Sequence, residues 1–125
     1  MKHSTNDTNE MIKRVRFHGR GGQGMKTASR IVGTASFLEG FFVQDSPLYG
    51  AERRGAPMVA FTRLSKEPIL ERGIIISPDI NIIADETLLG DKSANVFQGK
   101  WEGTVTIVNT HFPASHVRNV YGIVG

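Results

Sequence analysis

Hydrophobic and polar positions change period several times along the chain, and each change predicts an element. Val15 and Phe17 alternate with polar neighbours, which predicts a first strand over residues 14–18. Ala28, Ile31, Val32, Ala35 and Leu38 recur at helical spacing, which predicts an amphipathic helix over residues 25–39. Gly40 supplies its stop. Residues 41–44 read as a second strand and residues 58–64 as a third, followed by a Lys66-Glu67-Pro68 turn. Ile69-Leu70 and Ile74-Ile75-Ile76 are short β candidates. Residues 80–84 form a continuous apolar run, as buried parallel strands do. Residues 86–95 have weak helical character, 104–108 read as a last clear strand, 113–120 begin another helix, and 121–125 resemble the start of a strand.

This alternation predicts an α/β chain, a Rossmann-like three-layer domain with a mostly parallel sheet. Residues 1–12 read as a disordered tail and 13–125 as the domain. A sheet covered on both faces needs more helix than these segments provide, so the domain reads as incomplete at its C-terminus. Residues 45–57 form a long, turn-rich segment of the kind that often carries function.

Bulk properties narrow the classes. A chain of 125 residues builds one core. No apolar run approaches the ~20 residues of a membrane span, and the polar first ten residues have no secretory core. The expected compartment is the cytoplasm, with no membrane partner. Zero cysteines exclude disulfides, thiolate zinc and iron–sulfur ligation within this chain. The net charge of +3 is spread without a basic, aromatic-interleaved stripe, so no nucleic-acid partner is expected.

The densest chemical signal is Gly19-Arg20-Gly21-Gly22-Gln23-Gly24, between the first strand and the helix. Glycines there let backbone approach a ligand, and N–H groups at a helix start favour an anion such as phosphate. Gly19, Gly21 and Gly24 satisfy G-x-G-x-x-G, and Asp45 follows Gly24 by 21 residues. That combination suits an NAD(P)- or FAD-binding domain, with Asp45 on a ribose hydroxyl. A tight turn that uses glycine only for geometry is the plainer alternative. Gln23 and Arg20 are unusual for a dinucleotide loop, although Arg20 suits phosphate or a partner's carboxylate. Lys26 and Thr27 add a charge and a hydroxyl, or simply a solvated helix face.

A second constellation is Tyr49-Gly50-Ala51-Glu52-Arg53-Arg54-Gly55-Ala56-Pro57. Arg53 and Arg54 can grip phosphate or carboxylate, with Glu52 as support, or form a surface ion pair. His18 reads as a packed strand-end residue; His3, His111 and His116 are scattered, and Ser46 has no evident base. No nucleophile–base pair or metal set is apparent.

Together these motifs, with residues 35–40, Ala60-Phe61-Thr62-Arg63 and Pro78-Asp79, resemble the gamma subunit of 2-oxoacid:ferredoxin oxidoreductases of the pyruvate and 2-oxoisovalerate type. The likeness covers about residues 14–110. It implies a share in a complex that oxidatively decarboxylates a 2-oxoacid to acyl-CoA and passes electrons to ferredoxin. Thiamine diphosphate and iron–sulfur clusters would sit on alpha, beta and delta-type partner subunits. Coenzyme A capture and assembly would fall to this chain, which would not be catalytic alone.

The implied cofactor-binding residues are Gly19, Arg20, Gly21, Gly22, Gln23, Gly24, Arg53 and Arg54, with none catalytic and none metal-binding. The family's domain runs well past residue 125, and residues 45–48 are more acidic than is common there. A subunit fragment should expose apolar surface. The competing functions are the independent dinucleotide domain and a ligand-free assembly module.

Overall fold

The computed structural model describes residues 11–47 and 54–123, without the side chains of Ser46 and Pro47. It contains β1 (Lys13–Arg20), α1 (Met25–Leu38), β2 (Phe42–Pro47), β3 (Pro57–Ser65), β4 (Ile80–Ile83), β5 (Val105–Val108) and α2 (Ala114–Tyr121). The strands form one sheet in the order β2-β3-β1-β4-β5. β1, β4 and β5 pair in parallel, and β3 runs antiparallel to both β1 and β2. Four of the five described strands therefore share a direction, and β3 is the reversed one.

Three layers form because β1 alternates two buried faces. Val15 and Phe17 face α1, where Met25, Ala28 and Val32 pack with Ala60, Ile80 and Ile82. Arg16 and His18 lie on the other face, aligned with Asn81 and Ile83 of β4. A second core of Ile83, Leu88, Leu89, Val96 and Val117 covers that side. Most of this cover is irregular backbone, so the second outer layer needs less helix than the chain's α/β pattern implies.

Several expectations are corrected by this cover. Ile69-Leu70 and Ile74-Ile75-Ile76 form no strands; they belong to a strap across the sheet. Arg14 and Arg63 hold the strap by sharing Glu71, with Arg14 Nη2 donating at 2.6 Å and Arg63 Nε donating at 2.6 Å. Arg63 Nη2 also donates to the Ile74 carbonyl at 3.2 Å. Arg16 donates to the carbonyls of Ile75, Ile76, Val96 and Gln98, fastening strap and later turns with one guanidinium. Of the weak helix at 86–95, only a single 3-10 turn at Glu86–Leu88 forms. The second strand lies later than expected, and Tyr121 ends α2 instead of opening a strand. Ile12, assigned to the tail, is 1% exposed and belongs to the core, whereas residues 1–10 lie outside the described residues.

Candidate functional site

The glycine loop joins the C-terminal end of β1 to α1. Gly22 and Gly24 have φ of 92° and 82°, the left-handed region that disfavours side chains. At Gly19 a Cβ would come within 2.5 Å of Met25 Cγ. Geometry thus explains these three glycines without a ligand. The loop also uses two of its own donors internally: Gly21 N–H bonds the Ala56 carbonyl at 2.8 Å, and Gln23 N–H bonds the Arg20 carbonyl at 3.0 Å. Those two groups are withdrawn from the expected set of phosphate donors.

The start of α1 remains suited to an anion. Gly24 caps it without a side chain, and its first turn carries no acid. The first N–H groups of a helix have no carbonyl four residues back, and the helix dipole places positive potential there. An oxyanion is the natural complement.

A polar brace fixes this loop. Gln23 Oε1 accepts from the Arg20 N–H at 2.7 Å, and Gln23 Nε2 donates to Asp85 at 2.8 Å. Arg20 donates to Thr87 Oγ1 and to the Gly55 carbonyl, with Asp85 3.4 Å from its Nε. Asp85 also accepts from the Thr87 hydroxyl at 2.6 Å and the Thr87 N–H at 3.0 Å. The Thr87 hydroxyl, then Gln23, hold the Asp85 carboxyl at about 2, with Arg20's charge a smaller contribution. Gln23 and Arg20 therefore face the brace as structural ties. Asp85 was not expected from sequence, although an acid after an apolar strand is a recognisable cap for the following turn.

The two sequence constellations meet. Gly21 and Arg54 form a parallel β-bridge, and Gly55 N–H bonds the Gly21 carbonyl at 3.0 Å. Arg54 Cγ lies 3.6 Å from where a Gly22 Cβ would stand, and Arg54 is exposed. A guanidinium thus stands beside the loop that opens α1. Arg53, Glu52 and Tyr49 lie outside the described residues.

Asp45 is placed elsewhere. It sits on β2, separated from β1 by β3, in register with Thr62. Its carboxylate accepts from Thr62 Oγ1 at 3.1 Å and lies 2.9 Å from where a Gly33 Cβ would stand. In a dinucleotide fold the acid ends the parallel strand adjacent to the first. The reversed β3 occupies that place, which removes the main support for the independent NAD(P) or FAD domain.

The profile of the family described as pyruvate ferredoxin/flavodoxin oxidoreductase matches residues 14–123. The chain is 49% identical over 96 residues to the pyruvate/ketoisovalerate oxidoreductases common subunit gamma of Thermococcus litoralis, covering 77% of this chain and 51% of that protein. It is 46% identical over 96 residues to pyruvate synthase subunit PorC of Methanothermobacter marburgensis, covering 77% of this chain and 53% of that protein. The crystal structure of pyruvate oxidoreductase subunit PORC from Thermotoga maritima superposes with a TM-score of 0.74 at 37% identity, over 90% of this chain and 57% of that one. The chain spans about half the length of the curated relatives it matches. The matched residues 14–123 span the glycine loop, the sheet and the brace, and the chain belongs to the pyruvate ferredoxin/flavodoxin oxidoreductase family.

Proposed function

We propose that this chain is gamma-subunit material of a complex that converts a 2-oxoacid, of the pyruvate or 2-oxoisovalerate type, to acyl-CoA with transfer of electrons to ferredoxin. The observation that carries the reading is near-half identity to relatives named as common subunit gamma and as PorC. Within that complex the chain contributes coenzyme A binding and assembly, in the cytoplasm. Thiamine diphosphate and iron–sulfur clusters belong to alpha, beta and delta-type partners, consistent with a chain that has no cysteine. Coenzyme A, when bound, supplies the thiol that receives the acyl group.

The residues present fit the phosphates of coenzyme A. The uncapped start of α1, the loop from Gly19 to Gly24 and the adjacent Arg54 offer dipole, close backbone and a guanidinium fork. Arg53 is proposed as a second contact, and Arg20 and Gln23 hold the loop's shape. The assembly role is supported by exposed apolar side chains. On α1, Ile31, Phe37 and Leu38 are exposed, and on β5 Val105 and Ile107 are more than half exposed. Surfaces of this kind match obligate interfaces.

Anaerobic pull-down of the tagged chain with mass identification of its partners tests the assignment. Thiamine-diphosphate and cluster-bearing subunits are expected. Recovery of this chain alone, carrying a nucleotide, would contradict it. A Gly22→Asp change that leaves the activity of the assembled complex intact would favour the ligand-free assembly module.

A further inference from the structure

Two apolar rows run in register from β1 across β4 to β5: Val15, Ile80 and Val105, then Phe17, Ile82 and Ile107. α1 packs chiefly on β3, β2 and β1, so it covers the near end of both rows. α2 lies on the opposite face, with Val117 in the core around Ile83. The far end of the rows is open, and Val105 and Ile107 are 57% and 53% exposed. α1 is also apolar on its outer side. Ser29 and Gly33 face the sheet, so at 3.6 residues per turn Thr27, Ile31, Thr34 and Leu38 point away from it. Ile31 and Leu38 are 63% and 77% exposed. Gly33 leans towards Val43 and Asp45 of β2, which leaves the small Ala28 and Ala35 on the flank towards β4.

We infer that this face binds a second copy of the chain about a two-fold axis alongside α1, the outer ridge of each α1 seated on β4 and β5 of the other copy. The face carries both halves of that contact, an apolar ridge and, beside it, an uncovered apolar floor. The floor is two strands wide, about 10 Å, which is the width of one helix. Ile31 is level with Val105 and Ile107, because Ala28 and Val32 pack with Val15 and Phe17 of the same rows. Neither the ridge nor the floor carries a charged side chain. Ala28 and Ala35 are small enough for the two helices to approach to about 8 Å. One two-fold axis buries ridge and floor in both copies. The pair then covers on the order of 1,000 Å², the lower bound of a specific interface. Both glycine loops lie at the same end of the pair.

This inference rests on the assembly reading of these exposed side chains and names their partner. Sedimentation of the full 125-residue chain over a range of concentrations tests it. A reversible dimer is expected. Ile31→Lys and Ile107→Glu should each raise its dissociation constant more than about a hundredfold, because every dimer loses two such burials. An equimolar mixture of the two variants should dimerise again, since one contact becomes an ion pair and the other keeps both isoleucines. A monomer at every concentration overturns the inference, and so does a dimer that both variants leave unchanged or a mixture that stays monomeric. The result for the unmodified chain does not depend on the folding of any variant. The anaerobic pull-down separates the two readings. If the chain is monomeric but each variant loses the partner subunits, the second copy falls and the assembly reading stands. If the chain is monomeric and both variants retain those subunits, the assembly reading of this face falls too.

Discussion

β1 carries an arginine near each end, and the two ends have opposite fates. Near its start, Arg14 and the facing Arg63 share one carboxylate, Glu71, and Arg63 is 1% exposed. Near its close, Arg20 is tied into a brace at the surface while Arg54 stands exposed beside the glycine loop. In the first cluster two guanidinium groups share the Glu71 carboxylate, the Asp79 charge acts on Arg14, and the amide of Gln44 accepts from Arg63 at 2.8 Å. The second leaves a cation and a helix start turned outward. Arginine in this protein is therefore a structural clamp where an acid or backbone carbonyls fold onto it, and Arg54, exposed beside the loop, is the candidate ligand group.

The largest expected effect comes from breaking the first cluster. Glu71→Ala leaves two arginines facing each other under the strap and should destabilise the fold by about 3 kcal/mol, near the low end for a broken buried pair because Glu71 retains 27% exposure. Urea unfolding at neutral pH checks this. A loss below about 0.5 kcal/mol, the ordinary surface value, would mean that the strap is held by other contacts.

Acid should reach the same elements in two stages. His18 stays neutral when folded, at about 4, against a usual value of 6.5. The unfolded chain therefore takes up the proton first, and stability that is complete above pH 6.5 falls as pH drops towards 4, by on the order of 3 kcal/mol. Glu71 is held at about 2, against 4.5, by hydrogen bonds from Arg14 first and Arg63 after. Its contribution is present above pH 4.5 and is lost as pH falls towards 2. Unfolding titrations of the unmodified chain and of Glu71→Gln separate the stages. The variant should keep the upper stage and lose the lower; loss of the upper stage instead would reverse the assignment.

A smaller effect is expected at the open end. Asp85→Ala removes acceptors for Gln23 and Thr87. Loss of the cap and brace should cost about 1–2 kcal/mol and raise amide exchange across residues 20–24. Unchanged exchange there would show that the glycine turns alone set the loop.

The difference between the two ends also explains what was legible in the sequence. The periods of 14–18, 25–39, 58–64, 80–84 and 104–108 place β1, α1, β3, β4 and β5 closely, because local alternation reports which face meets a core. The glycine loop and the arginine motif were visible as two separate motifs, and their contact, a consequence of β1 and β3 pairing, was not. The Arg14–Glu71 bond was not visible, since it joins residues 57 apart through a strap that has no regular period. Arg14 and Arg16 look like a solvent face, and only that strap and the later turns bury them, whereas His18, read as a packed strand-end residue, is buried. Gln23 looked like a ligand group because Asp85, its partner 62 residues away, sits in a turn that carries weak helical signals. The reversed β3, which displaces Asp45 from the ribose position, is set by pairing and not by composition.

The most direct test is a calorimetric titration of the full chain with coenzyme A, beside Arg54→Ala, at two salt concentrations. Arg54 is exposed and outside the core, so its loss should leave stability within about 0.5 kcal/mol. The account predicts binding that weakens with salt and falls roughly tenfold in the variant, the cost of a charge-assisted contact. Equal affinity in the two chains, or no binding by either, would contradict the claim that the open end of β1 holds the phosphates.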